Sequence, residues 1–228
     1  MSVIQDNLRA GDCAIIGVNT MDGTTPRDEF AILWFPPVVE DTFARITNRG
    51  AEPTGEIYSG LMTGNQSHTS DIWAADRPAG AVSFHLKIPD ANSGSTYYSG
   101  GVQYISDMKL VTADQLIVYQ GYVHQGYGAS TTNICAFDAT GGWETGTFTM
   151  NSETSALPAG LTDGDTAVTI SGLANNMYNG AVVRGTAAEL RAAIHNPANW
   201  VRTRRYPIAT PVHSQSLQHV CDRCVPAM

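Results

Sequence analysis

The chain has 228 residues, a formal net charge of −8, 43% hydrophobic and 15% charged residues, 22 glycines and 11 prolines. That length suits one large domain or two small ones, and a charged fraction below the usual ~25% argues against disorder, a coiled coil or a charge-laced helical repeat. No run approaches ~18 apolar residues, so no membrane-spanning helix is expected, and an acidic body repels phosphates, so nucleic acid is not an expected partner.

The N-terminus, Met1-Ser-Val-Ile-Gln-Asp6, carries neither a basic nor an apolar leader segment. No signal peptide is expected, and a mature secreted, cell-surface or organellar form would read the same way. Gly11-Asp-Cys-Ala-Ile-Ile-Gly-Val-Asn-Thr20 is an apolar, β-branched run closed by turn residues at Asp22-Gly23. Asp28-Glu-Phe-Ala-Ile-Leu-Trp-Phe35 follows and stops at Pro36-Pro37, which predicts strand, turn, strand. The same order recurs later. Ala113-Asp-Gln-Leu-Ile-Val-Tyr119 parallels Gly11 to Gly17, and Asn133-Ile-Cys-Ala-Phe-Asp138 parallels Asp28 to Leu33. Arg77-Pro-Ala-Gly-Ala-Val82 likewise resembles Leu157-Pro-Ala-Gly-Leu-Thr162, and Tyr98-Ser-Gly-Gly-Val102 resembles Tyr178-Asn-Gly-Ala-Val182. The second pair of matches lies 80 positions apart and Asp12 lies 102 from Asp114, a difference of 22 that fits an insertion within Gly50–Asp76. The reading is an internal duplication, residues 10–112 and 113–200, against the alternative that short matches in glycine-rich sequence arise by chance.

One helix is signalled near 187–195. Thr186-Ala-Ala-Glu189 is a capping box, Leu190, Ala193 and Ile194 form an apolar stripe, and Asn196-Pro197 stops it. His195, at its C-terminus, stands where a cation is favourable. The remaining short strands and turns predict an all-β fold, a sandwich or two packed β-sheets. Residues 201–228, with Pro207, Pro211 and Pro226 and no glycine, predict an extended C-terminal arm.

Charge is divided unevenly. Residues 184–228 carry six arginines (Arg184, Arg191, Arg202, Arg204, Arg205, Arg223) against Glu189 and Asp222, a net of +4, which leaves −12 on residues 1–183. Lysine occurs only at Lys87 and Lys109. Arg202, Arg204, Arg205 and Arg223 are therefore candidates for an assembly arm that docks on the acidic body of a second copy, because the guanidinium fork suits fixed carboxylate pairing. The plainer alternative is that these arginines pair within their own chain.

The opening Gly11–Thr20 run with Asp28-Glu-Phe-Ala31 resembles lamin-tail-related β domains of secreted and cell-surface bacterial proteins. So do Asp114-Gln-Leu-Ile-Val-Tyr-Gln-Gly121, Gly141-Gly-Trp143, Ser155-Ala-Leu-Pro-Ala-Gly-Leu-Thr162, Tyr178-Asn-Gly180 and Ala188-Glu-Leu-Arg-Ala-Ala-Ile-His-Asn-Pro-Ala-Asn-Trp200. The resemblance implies a non-catalytic, all-β structural or adhesion module and carries over no catalytic residue. Two features depart from it: Ile46-Thr-Asn-Arg-Gly50 stands where such domains carry an aspartate–tryptophan turn, and the cysteine-containing tail is foreign to the pattern.

Candidate chemistry is sparse. His219-Val-Cys221-Asp-Arg-Cys224 is half of a zinc site or a redox pair, but no second Cys-x-x-Cys accompanies it. Ordinary thiols or a local disulfide are the plainer reading of Cys221 and Cys224, with an intermolecular disulfide or a metal as alternatives. Cys13 and Cys135 fall in predicted buried strands, where thiols act as small hydrophobes. Asp163-Gly-Asp165 reads as a turn before it reads as a calcium site. The familiar hydrolase, metalloprotease and nucleotide-binding motifs are absent, so no catalytic residue and no cofactor are expected. Tyr97, Tyr98, Tyr122 and Tyr127 are candidate ligand-facing aromatics, since tyrosines on a sheet or loop stack on sugars. The sequence thus points first to a non-catalytic structural protein that assembles with itself into a layer, filament or shell, as a surface coat or an organelle shell of the pyrenoid-shell kind. The alternative is a monomeric carbohydrate-binding or adhesion module with glycans as partners.

Overall fold

A computed structural model describes residues 7–19, 28–36, 42–59, 69–74, 82–87, 96–99, 110, 114–124, 128–150, 153–171, 175–180 and 184–202, with some strand residues given by backbone alone. The strands are β1 (Cys13–Asn19), β2 (Asp28–Trp34), β3 (Thr42–Thr47), β4 (Thr69–Ala74), β5 (Val82–Lys87), β6 (Thr96–Ser99), β7 (Gln115–His124), β8 (Gly128–Asp138), β9 (Ala167–Thr169), β10 (Asn175–Tyr178) and β11 (Trp200–Arg202). Helix α1 covers Ala187–Ile194. They form two sheets, in the orders β11-β10-β1-β2-β5-β6 and β4-β3-β7-β8-β9. The fold is all-β, as the composition and strand spacing predict.

Among the described strands all pairings are antiparallel except β8 with β9. The β1–β2 and β7–β8 hairpins are the centres of their sheets. Each carries one register shift, at Ile15/Gly17 and at Val118/Tyr119. Residues 10–112 place β1, β2, β5 and β6 in one sheet and send β3 and β4 to the other. The later part of the chain builds β7, β8 and β9 and returns β10 and β11 to the first sheet.

Alternation along the central strands fixes two apolar layers. Leu116, Val118, Cys135 and Phe137 face the first sheet and join Cys13, Ile15, Phe30, Ile32 and Trp34 in the main core. Ile117, Tyr119 and Ala136 point the other way into a second cluster with Ala51, Ile57, Ala156 and Leu161. Two loops zip together to form that cover: Ala156 N–H donates to the Ala51 carbonyl at 2.8 Å, and Ala159 N–H to the Gly55 carbonyl at 2.7 Å. Strands covered on both faces read as continuous apolar runs, which explains why β1 and β2 lack polar alternation.

The helix forms as its capping box requires. Thr186 Oγ1 accepts from Glu189 N–H at 3.3 Å, and Glu189 Oε2 accepts from Thr186 N–H at 2.8 Å. Leu190, Ala193 and Ile194 are its buried residues, packed into the core that contains β1. Trp200 anchors the return to β11: its indole N–H donates to the Ile194 carbonyl at 2.6 Å, and its ring lies 5.3 Å from that of Phe137.

His195 departs from the expectation of a cation at the helix end. It is fully buried, and burial lowers its pKa from 6.5 to about 4, outweighing the bond to the Arg191 carbonyl and the attraction of Asp165. The ring is neutral at pH 7, because desolvation exceeds the helix-end field at this depth. Its Nδ1 lies 2.9 Å from the Arg191 carbonyl, which requires the Nδ1–H tautomer.

Candidate functional site

On β3, Ala44 and Ile46 belong to the core, so Phe43 and Arg45 stand on the opposite face of the strand. Arg45 is opposite Tyr119 in the β3–β7 register, and β7 and β8 run on past the start of β3 as a long hairpin. At that overhang the Arg45 guanidinium lies 4.7 Å from the Phe43 ring centroid and 4.8 Å from that of Tyr122. Its Nη1 also donates to the Gly121 carbonyl at 2.8 Å. A cation held between two rings and a carbonyl keeps Tyr122 in one orientation, although that ring is 60% exposed.

Gly121 makes the arrangement possible. Its φ is +108°, and a Cβ there would collide with the Ser130 carbonyl oxygen of the paired strand. Gln120 is clasped on both ends: its Oε1 accepts from Leu8 N–H at 2.8 Å, and its Nε2 donates to the Phe43 carbonyl at 2.8 Å. Beside this clasp runs an open groove of about 320 Å³ lined by Asn7, Phe43, Gln120, Tyr122, Ser130 and Thr132, among others. It presents amides, hydroxyls and one exposed ring, a composition suited to binding a polar ligand with a flat apolar face.

Of the residues singled out from sequence, Tyr122 lies on this groove. Tyr97 and Tyr98 lie in β6, at the edge of the other sheet, with only their backbone described. Arg202 ends β11, exposed, at the opposite edge of that same sheet. Tyr127, Arg204, Arg205, His219, Cys221, Arg223 and Cys224 lie outside the described residues. Tyr119, which shares the tyrosine-rich stretch, is buried beneath the loop cover. Arg45 and Phe43 carry no motif that marks them. The available signal is the period of two in Thr42-Phe-Ala-Arg-Ile-Thr47, which places an arginine and an aromatic on one face.

The acidic turn is structural. Asp163 Oδ1 accepts from the Trp143 indole N–H at 3.1 Å, and Asp165 Oδ1 pairs with Arg191 Nε at 2.9 Å. Asp138 closes the end of β8, accepting from the Thr140 hydroxyl at 2.9 Å and from Gly142 N–H at 3.1 Å. Burial raises its pKa, and those hydrogen bonds oppose the rise. Cys13 and Cys135 face one another in the core between the sheets, sulfur to sulfur at 2.9 Å and fully buried. Among the described residues no helix is long and apolar enough to cross a membrane.

No protein-family model, curated protein or solved structure matches this chain.

Proposed function

We propose that this chain is a non-catalytic structural protein that self-assembles into a layer, filament or shell, such as a surface coat or an organelle shell. The observation that carries this reading is a correspondence between the two sheets. The order β11-β10-β1-β2 matches β4-β3-β7-β8, strand for strand and with the same antiparallel pairings. The correspondence supports a duplicated ancestry for the two halves, but it sets β10 against β3, whereas the sequence match of Tyr98 with Tyr178 sets β10 against β6, so that match is not part of it. It ends beyond the hairpins, where β5 is antiparallel to β2 but β9 is parallel to β8.

The consequence for assembly is geometric. β4 and β11 are equivalent edges of two similar sheets, so a neighbouring copy can meet either edge in a related way. A contact of β4 on one copy with β11 on the next is heterologous, and it extends into a filament or layer when its rotation does not close a ring. Few lysines are available to block edge-to-edge pairing. The residues that follow β11 in sequence, which lie outside the described residues, include Arg204, Arg205 and Arg223, and their positive charge complements the acidic body. The resemblance to lamin-tail-related domains, which are non-catalytic, agrees with this role. Removing residues 203–228, or making the triple change Arg202→Glu, Arg204→Glu and Arg205→Glu, leaves a folded protein that no longer forms large particles in sedimentation. Particles of unchanged size from both variants overturn the arm's part in assembly.

The groove at Tyr122 favours a second reading, a glycan-binding or adhesion module. The exposed ring, set by Arg45 and flanked by Gln120, Ser130 and Thr132, suits the C–H face and hydroxyls of a sugar. A glycan array followed by calorimetry tests it: binding that is lost in Tyr122→Ala supports the module, and no binding by the wild type removes it.

A further inference from the structure

We infer that Cys13 and Cys135 are a disulfide-forming pair that locks the two sheets together when the chain folds in the presence of a disulfide oxidant. Cys13 opens β1 at the centre of one sheet, and Cys135 lies in β8 at the centre of the other. Their sulfurs are 2.9 Å apart, closer than two unbonded sulfur atoms in ordinary contact, and neither side chain is exposed. Forming the bond therefore asks for less than an ångström of approach to reach the ~2.0 Å of a disulfide.

The surrounding backbone holds the two strands in this relation independently of the sulfurs. Gly11 N–H donates to the Ile134 carbonyl at 2.8 Å, one residue from Cys135 and two from Cys13. The Cys135 partner across its own hairpin is Val118, and that of Cys13 is Trp34, so the pair is flanked by packed apolar strands on both sides. The location also has a topological meaning. One cysteine belongs to the hairpin that centres the first sheet and the other to the hairpin that centres the second, 122 positions away. A bond here ties together two hairpins far apart in the chain, and a closed loop of that length removes much of the unfolded chain's freedom.

The chemistry balances as two exchanges. A thiolate of one cysteine attacks a small-molecule or protein disulfide, forming a mixed disulfide and releasing one thiol. The second cysteine then attacks the protein sulfur of that mixed disulfide, releasing the other thiol. Two protein thiols are oxidised to one disulfide, and the oxidant is reduced to two thiols. Burial in the finished core raises the Cys13 pKa and disfavours the thiolate. The exchange thus belongs to folding, before the sheets close, and the finished bond is shielded from reductants.

The test uses the full chain, unfolded and reduced, then refolded either with oxidised glutathione or with dithiothreitol. After removal of the redox agent, each sample is denatured, alkylated and mapped by mass spectrometry. The expected result is a peptide linking Cys13 to Cys135 after refolding with oxidised glutathione, with both residues alkylated after refolding with dithiothreitol. The oxidised form should melt roughly 10 °C above the reduced one, and Cys13→Ala should abolish that difference. Mapping separates this bond from any formed by Cys221 and Cys224. Alkylation of both Cys13 and Cys135 after oxidative refolding, their pairing with other cysteines, or equal melting of the two forms overturns the inference.

Discussion

Protonation of His195 is a direct probe of how tightly the helix end is buried. The imidazole titrates near 6.5 when exposed and at about 4 in the fold, chiefly because burial disfavours its charged form. Between those values the unfolded chain binds a proton that the folded chain refuses, so stability falls as pH drops from 6.5 toward 4. At about 1.4 kcal/mol per tenfold change in proton affinity, the loss between pH 7.5 and pH 4.5 is about 2.5 kcal/mol. Asp138 acts in the opposite direction, since its raised pKa makes proton uptake favour the folded state as pH falls. A comparison with His195→Gln cancels that contribution. Urea unfolding of dilute protein, followed by tryptophan fluorescence at several pH values, gives both stabilities. The wild type should lose about 2.5 kcal/mol relative to His195→Gln over this range, on the order of 1 M in urea midpoint. A constant gap between the two proteins would refute burial as the cause.

Other consequences follow from particular contacts. Thr186→Ala removes one side of the capping box, and thermal or urea unfolding should register a loss of about 1 kcal/mol. Trp200→Ala deletes the indole bond to Ile194 and the packing on Phe137, with an expected cost of about 3–5 kcal/mol by the same assay. Gly121→Val forces a branched side chain into positive φ and against the Ser130 carbonyl, so it should cost more than about 2 kcal/mol. Tyr122→Ala, at an exposed ring, should change stability by less than about 1 kcal/mol, a cost confined to its stacking on Arg45.

What the sequence reveals and what it conceals divide along local and non-local information. The Gly11–Thr20 and Asp28–Phe35 runs appear as β1 and β2, and the Thr186–Glu189 capping box marks the start of α1. Each of those signals lies within a few residues of the structure it specifies. The passage of β3 and β4 to the other sheet depends on pairing with β7, more than 60 positions away, and no local pattern encodes it. The start of β8 is similarly obscured. Gly128-Ala-Ser-Thr-Thr132 has no apolar alternation, yet it is strand because β7 continues opposite it to His124. At the groove, Tyr122 is legible as one of a group of tyrosines, whereas Arg45 acquires its role only when β3 is laid beside β7. The cysteines give the sharpest contrast. The Cys-x-x-Cys of the tail attracts attention by spacing and lies outside the described residues, whereas the described pair, Cys13 and Cys135 at 2.9 Å, is remote in sequence and carries no spacing signal.

Assembly through the sheet edges β4 and β11 and the basic residues after β11 is proposed above. Its most direct test is particle mass by light scattering across a range of protein concentrations, at low and high salt, with negative-stain imaging of the same samples. Assembly of this kind gives large, ordered particles that grow with concentration and loosen as salt screens the charge of the arginine-rich tail. A sharp monomer at every concentration and salt would contradict it.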